Sequence, residues 1–201
     1  MKTKEMDKLM AHFDKYFKQS DCQVLHPLSM TPHIDTLVYK PTSELPYWKL
    51  VSMGASDFRM PAKKPFLGDR NEYMMFVDAQ EDLTDKETLD RYVMYLMEVA
   101  HYPIVNQCYI TYGHSVEWKP EENEEMVCAF LEMPQIISDP NVLRCKLGLM
   151  KTAVCLQIVL LTKEETEKLL QIGPQQFSYY LYPENGSPRH FICELKRSEK
   201  F

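Results

Sequence analysis

The residues with the clearest potential for chemistry lie in the short segment Gly54-Ala55-Ser56-Asp57. A serine in a tight turn after a strand is how several hydrolases present a nucleophile, and that arrangement requires glycine two residues before and two residues after the serine. Here Gly54 fills the first position, but Phe58 occupies the second. We expect Gly54 to supply an unusual backbone angle, and Ser56 or Asp57 to satisfy loop amides by local side-chain hydrogen bonding. The segment is therefore interpreted as a structural turn without a catalytic residue.

Two histidines could complete a catalytic or metal site with this turn. His101 or His114 could act as a base beside Ser56 or Asp57, or could hold a metal ion together with Asp57. No predicted helix carries two of these ligands one turn apart, and single histidines are more often structural than metal-binding. We therefore expect no metal site. The alternative, a hydrolase that uses the Gly54–Asp57 turn, requires one histidine within hydrogen-bond reach of it.

Several function classes lack their usual motifs. The chain has no phosphate-binding glycine loop, dinucleotide fingerprint, H-E-x-x-H motif or paired-carboxylate motif, and it contains only six glycines. A net charge of -6 with interleaved Lys and Arg offers no basic face to a nucleic acid. We expect a protein that is not an enzyme, binds no cofactor and no nucleic acid, and meets a basic protein partner faster because of its mild acidity.

Segment composition also indicates a compartment. Residues 1–19 have no apolar run or cleavage site of a signal peptide, and the longest apolar stretch, Ala153 to Leu161, is shorter than the ~20 residues of a membrane helix. The six cysteines are widely spaced, without a C-x-x-C pair or zinc-ligand spacing. We expect free thiols in a reducing compartment, no membrane partner, and a cytoplasmic location.

The 13 methionines are mostly at apolar helix or strand positions and are expected to fill the core. Met53 and Met60 differ because they bracket the Gly54–Asp57 turn. Flexible thioethers can line adaptable binding surfaces, so these two are candidates for a patch that faces a partner.

The first half of the chain predicts a helix, a strand meander and a second helix. Apolar residues from Met6 to Phe17 recur at helical spacing. Strands are predicted over Cys22 to Leu28, Ile34 to Lys40, Tyr47 to Met53 and Glu72 to Ala79, in an antiparallel meander. Thr84 and Glu87 fit a capping box for the second helix, which we expect to end near His101 because Pro103 follows.

The second half predicts further strands and two short helices. Residues 117–125 form a charged run that is interpreted as a solvated turn. Strands are expected over Met126 to Met133, Leu143 to Leu147, Ala153 to Leu161 and Arg189 to Leu195. The third of these should be central, because its near-continuous apolar character fits a strand covered on both faces. Thr162 and Glu165 form a capping box for a helix that ends near Gly173, and Pro174 to Leu181 gives one more short helix.

Three motifs resemble a known family. The segment from Tyr47 to Pro61, YWKLVSMGASDFRMP, has an aromatic strand, a glycine-serine turn and a Met-Pro pair. The others are Ala100-His-Tyr-Pro103, followed by Gly113-His114, and the late strand that leads into Leu161-Thr-Lys-Glu-Glu165. In this order, over residues 35–173, they resemble the suppressor of fused domain.

This resemblance implies an α+β fold, in which a mixed, largely antiparallel sheet is flanked by helices. We expect residues 1–201 to form a single domain, with an amphipathic helix in residues 1–20 and a tail in residues 183–201. The animal member pairs this domain with a second one to clamp an extended peptide of a Hedgehog-pathway transcription factor as an added strand. Resemblance to the stand-alone bacterial members implies an immunity protein that neutralises a secreted polymorphic toxin.

The expected function is therefore protein binding, with a toxin as the partner. The candidate binding residues lie in the turn after the aromatic strand and in the Gly113 loop: Met53, Ser56, Asp57, Arg59, Met60 and His114. A scaffold protein that self-associates through an exposed strand edge is a further alternative.

Overall fold

The computed structural model of the chain describes residues 1–27, 32–120, 125–182 and 188–196. The helices are α1 (Thr3–Phe17), α2 (Lys86–Val105), α3 (Lys163–Ile172) and α4 (Pro174–Tyr180). The strands are β1 (Cys22–Leu25), β2 (Asp35–Tyr39), β3 (Tyr47–Met53), β4 (Asn71–Asp78), β5 (Ser115–Glu117), β6 (Met126–Glu132), β7 (Arg144–Lys146) and β8 (Thr152–Thr162). Parts of two predicted features, Leu28 and residues 121–124 of the charged run, lie outside the described residues, as does much of the predicted tail.

Within the described residues, all eight strands form one sheet in the order β1-β2-β3-β4-β8-β6-β5, and β7 also pairs with β8. The pairing of β4 with β8 is parallel, and the other strand pairs are antiparallel. The meander β1 to β4 and the central position of β8 agree with the sequence predictions. The mixed, largely antiparallel sheet of an α+β fold is thereby confirmed.

Helices cover both faces of this sheet. Side chains alternate between the faces along each strand, so apolar residues of β4 reach a helix on either side. Met75 of β4 packs in one core cluster with Leu96 of α2. Its neighbour Phe76 points to the other face, where its ring lies 5.9 Å from that of Phe17 in α1. Each face of β4 and β8 therefore has its own apolar core, which explains why β8 has no polar face.

The second helix differs from its sequence prediction at both ends. The N-cap is Asp85, whose side chain accepts a hydrogen bond from the Thr88 amide, and Thr84 instead bonds to Asp82 in the preceding turn. The helix also continues past Pro103 to Val105. Pro103 lies in the last turn, where it removes only one backbone hydrogen bond, and its side chain is buried.

One strand prediction needs correction, and one short strand was missed. The segment predicted as a strand over Arg189 to Leu195 begins as a 3₁₀ turn, Pro188–Phe191, and afterwards only Cys193 bridges to the sheet, at Val77. The short strand β5 was not predicted. It contains three residues, too few for alternation to show in the sequence.

Candidate functional site

The turn that follows β3 is held by the buried carboxylate of Glu72 in β4. Glu72 accepts hydrogen bonds from the amides of Gly54 and Ser56, both at 3.0 Å, and from Ser52 Oγ at 2.6 Å. Burial raises the pKa of this carboxyl group, and the three donors act in the opposite direction. Gly54 has φ 128°, and a Cβ there would lie 3.1 Å from the carbonyl oxygen of His33. Only glycine fits this position without strain.

The carbonyl groups of the same turn are held by Arg70. Its Nη1 donates to the carbonyl oxygens of Ser56 at 2.9 Å and Asp57 at 2.8 Å. The turn from Ala55 to Asp57 is a single 3₁₀ turn. With Glu72 bound to its amides and Arg70 to its carbonyls, the turn has a fixed backbone.

Asp57 leaves this turn toward two other elements. Its carboxylate forms ion pairs with the Met1 amino group and with Lys151 Nζ, the latter at 2.5 Å, and Lys151 also contacts Glu5 of α1 at 2.9 Å. Partial burial alone would raise the pKa of Asp57, but the hydrogen bonds from Lys151 and the amino group outweigh burial and lower it. Asp57 is thus part of a tertiary ion-pair cluster, a role that the expected local hydrogen bonding did not include.

The six predicted binding residues divide by exposure. Met53, Ser56 and Met60 are buried, at 2%, 0% and 3% exposure, so their side chains belong to the core and do not form part of the protein surface. Their placement on a partner-facing patch therefore needs correction: β3 ends with Met53 inside the sheet, and Met60 packs into the α2 core cluster. Asp57, Arg59 and His114 are exposed.

The structure brings the Gly113 loop to the same end of the sheet as the Gly54 turn. Asn71 Nδ2 donates to the carbonyl oxygen of Ile110 at 2.9 Å and approaches Met60 Sδ at 3.9 Å. The Phe66 amide donates to Tyr109 Oη at 2.8 Å, and the Tyr109 ring lies edge-on to His114 at 6.3 Å. The two predicted segments are therefore neighbours.

Exposed apolar side chains border these segments and were not predicted as site residues. Phe66 is 68% exposed in the loop after the turn, and Leu149 and Met150 are 92% and 96% exposed just before Lys151, which contacts Asp57. A sequence signal existed, since all three are large apolar residues in segments with Gly or Pro nearby. We call the resulting set the sheet-end surface: Asp57, Arg59, Phe66, His114, Leu149 and Met150.

The histidines do not complete a catalytic site with the turn. The ring nitrogens of His101 contact the carbonyl oxygens of Met97 and Pro32, both at 3.0 Å. His114 Nδ1 contacts the Thr111 carbonyl oxygen at 3.2 Å. Among the described residues, the hydrogen bonds of these histidines include neither Ser56 nor Asp57, so no nucleophile–base pair is formed at the turn.

A different pair of histidines lies beside a carboxylate. His26 Nδ1 and His33 Nε2 each lie 2.8 Å from Asp35 Oδ1. Sequence reasoning did not group these residues because their spacing matches no zinc motif.

In the part of the chain that the structure describes, no helix has the length and apolarity that would let it cross a membrane.

Comparison with known proteins places this architecture in a family. The family model described as "Suppressor of fused protein (SUFU)" matches residues 30–188. A chain from the crystal structure of the Sufu–Fu complex is 12% identical, with a TM-score of 0.68 over 97% of this chain and 91% of that one. A suppressor of fused homologue from Neisseria gonorrhoeae is 15% identical, with a TM-score of 0.67 over 98% and 97% of the two chains.

Drosophila Suppressor of Fused is 12% identical, with a TM-score of 0.66 over 95% of this chain. Only 50% of the Drosophila chain is covered, so this protein spans about half of that relative. A comparison with curated proteins found no match. Identities this low show the shared fold alone, but the family model covers most of the sequence. The chain belongs to the suppressor of fused family.

Proposed function

We propose that this protein is a non-catalytic interaction domain that binds another protein through the sheet-end surface and thereby neutralises a toxin. Membership of the suppressor of fused family supports the binding role, since one structural neighbour comes from a Sufu–Fu complex. The match to nearly the full length of a bacterial homologue supports comparison with the stand-alone bacterial members.

The fixed turn between Glu72 and Arg70 is the observation that carries the proposal. Its backbone is bound on both sides before any partner arrives. A preformed surface binds more tightly than a mobile one because less conformational entropy is lost on association. The surrounding exposed residues include Arg59 and Phe66, and arginine and aromatic side chains are enriched in the centres of protein interfaces.

The chemistry of the partner follows from charge. The chain carries a net charge of -6, so a toxin with a basic surface would meet it at an increased association rate.

The described cysteines are all free, which agrees with a cytoplasmic site of action. Burial raises the pKa of Cys128 and of Cys145 to about 12, so both stay protonated at neutral pH.

A growth-rescue assay tests neutralisation. Each neighbouring gene whose product stops growth is co-expressed with the wild-type protein, with the double variant Arg59→Glu/Phe66→Ala, or with Leu170→Ala. Leu170 is a matched apolar control, 68% exposed on α3, which begins at the opposite end of β8. The wild type and the control should restore growth, and the double variant should not.

Two results would contradict the proposal. Either no neighbouring gene product is retained by the tagged protein at low salt, where weak ionic contacts persist, or the double variant rescues growth as well as the wild type does. A light-scattering series over concentration separates the scaffold alternative, because self-association through an open strand edge such as β5 would increase the measured mass.

A further inference from the structure

Three ligand-type groups converge at the end of the β1–β2 ladder. His26 Nδ1 and His33 Nε2 approach the same oxygen of Asp35, each at 2.8 Å, and the ligand atoms of the three residues all lie within 4.8 Å of one another. The two rings are nearly parallel, with their centroids 6.1 Å apart. From this geometry we infer that His26, His33 and Asp35 form a binding site for Zn²⁺.

The fold positions each of the three residues. Leu25 pairs with Thr36 in the antiparallel ladder, so His26 and Asp35 follow as the next opposed positions. Asp35 is 5% exposed and opens β2, which gives its carboxylate a fixed location. Ligands that are oriented before the metal arrives favour binding, and burial at the start of β2 orients this carboxylate.

The third ligand is brought in by the loop that precedes β2. His101 Nε2 lies 3.0 Å from the carbonyl oxygen of Pro32 and anchors this loop to α2. On its other side, Gly54 approaches the backbone of His33 closely. The loop that carries His33 is thus held between the helix and the turn, and the His33 ring lies beside Asp35.

The donor set selects the class of metal. Two imidazole nitrogens and one carboxylate oxygen suit zinc, whereas calcium and magnesium prefer oxygen ligands alone. Three protein ligands leave the fourth tetrahedral position to water. With metal–ligand bonds of about 2.0 to 2.2 Å, each histidine nitrogen must move from 2.8 Å to slightly more than about 3 Å from the Asp35 oxygen. The histidine side chains are 59% and 56% exposed, so they are able to make this small movement.

Calorimetric titration with ZnCl₂ tests the site. The tag-free full chain, first treated with a chelator, should bind one ion. His26→Ala and His33→Ala should each weaken binding at least about tenfold, because each removes a ligand. Both histidines are exposed, so these variants should fold. His114→Ala, an exposed histidine elsewhere, should bind zinc as the wild type does.

A cobalt(II) spectrum distinguishes this site from binding by the free cysteines. Cobalt held by nitrogen and oxygen gives no thiolate charge-transfer absorption, and that is the expected spectrum. Three results would overturn the inference: no zinc binding by the wild type, unchanged binding by His26→Ala and His33→Ala, or a thiolate band that accounts for the bound metal. In the first case the three residues form only a hydrogen-bonded cluster.

Discussion

Glu72 shows how one buried residue can set the shape of a surface. Burying a carboxylate costs free energy unless hydrogen bonds compensate, and here the compensation comes from two backbone amides and a serine hydroxyl. Those amides belong to the Gly54–Asp57 turn. The residue therefore stabilises the turn that presents Asp57 and Arg59.

The stability contribution of Glu72 should depend on pH. Its pKa is raised above the ordinary 4.5, so the folded state binds this proton more tightly than the unfolded state does. The free energy of unfolding contributed by this group is therefore full at low pH and falls as pH rises above about 4.5. Urea unfolding measures the free energy of unfolding of the wild type and of Glu72→Gln from about pH 4.5 to about pH 7. Over this range, the value for the wild type should fall relative to the value for Glu72→Gln.

Glu87→Gln is the control for removal of a carboxylate charge, because Glu87 is exposed on α2. Glu132, a second buried carboxyl group whose pKa is raised, is present in all three proteins and does not affect the comparison. A constant difference between wild type and Glu72→Gln over this pH range would show that the pKa of Glu72 is not raised in the folded protein.

At this scale the sequence predicted part of the site. Gly54 could be assigned a structural role because its neighbours exclude a nucleophile elbow. The role of Glu72 could not be predicted, because only the β3–β4 pairing brings it next to a turn 18 positions earlier. A charged residue at the start of an apolar strand was the one available signal. The burial of Met53 and Met60 likewise depends on tertiary packing.

Among the elements, the start of α2 offers a direct comparison of two candidate caps. Asp85 accepts from the Thr88 amide at 2.9 Å, so Asp85→Ala should lower the free energy of unfolding by about 1 kcal/mol. Thr84→Ala should cost clearly less, since Thr84 caps no helix and bonds only within the preceding turn. Paired denaturant titrations measure both values. An equal or larger loss of unfolding free energy in Thr84→Ala would show that Thr84 contributes to capping α2.

The elements that were predicted correctly have strong local signals. The capping box at Thr162 and Glu165 is present, and α3 ends before Gly173 as expected. The misplaced end of α2 shows the limit of local rules, because packing holds a helix through Pro103. His26 and His33 come together only through the β1–β2 ladder, and a spacing of seven residues carries no metal signature in a sequence.

For the whole molecule, the sheet determines which distant segments become neighbours. The antiparallel β3–β4 pair and the parallel β4–β8 pair place the end of β3 and the starts of β4 and β8 at one end of the sheet. Loops from three parts of the chain meet there and form the sheet-end surface. The sequence analysis assigned candidate binding residues to two of these loops, and the third, with Leu149 and Met150, came from the structure.

Asp57 is a poor probe of this surface because it is also an ion-pair partner of Lys151 and Met1. Asp57→Ala should lower stability by up to about 1 kcal/mol, as measured by urea unfolding. A loss of binding in that variant could then come from lower stability or from a lost contact with the partner. Phe66 is a better probe, because its side chain is uncharged and largely exposed. Arg59 pairs with Asp69 at 2.6 Å, but its side chain is 73% exposed, so this ion pair contributes little to stability.

The most direct test of the account is the dissociation constant between the purified toxin partner and this protein, measured by calorimetry. Phe66→Ala and Arg59→Glu should each raise it at least about tenfold, and Leu170→Ala should leave it within about twofold. The urea midpoint should stay unchanged in Phe66→Ala and fall only slightly in Arg59→Glu, which loses the exposed ion pair with Asp69. Wild-type affinity in both Phe66→Ala and Arg59→Glu would contradict the account and place the partner on another surface.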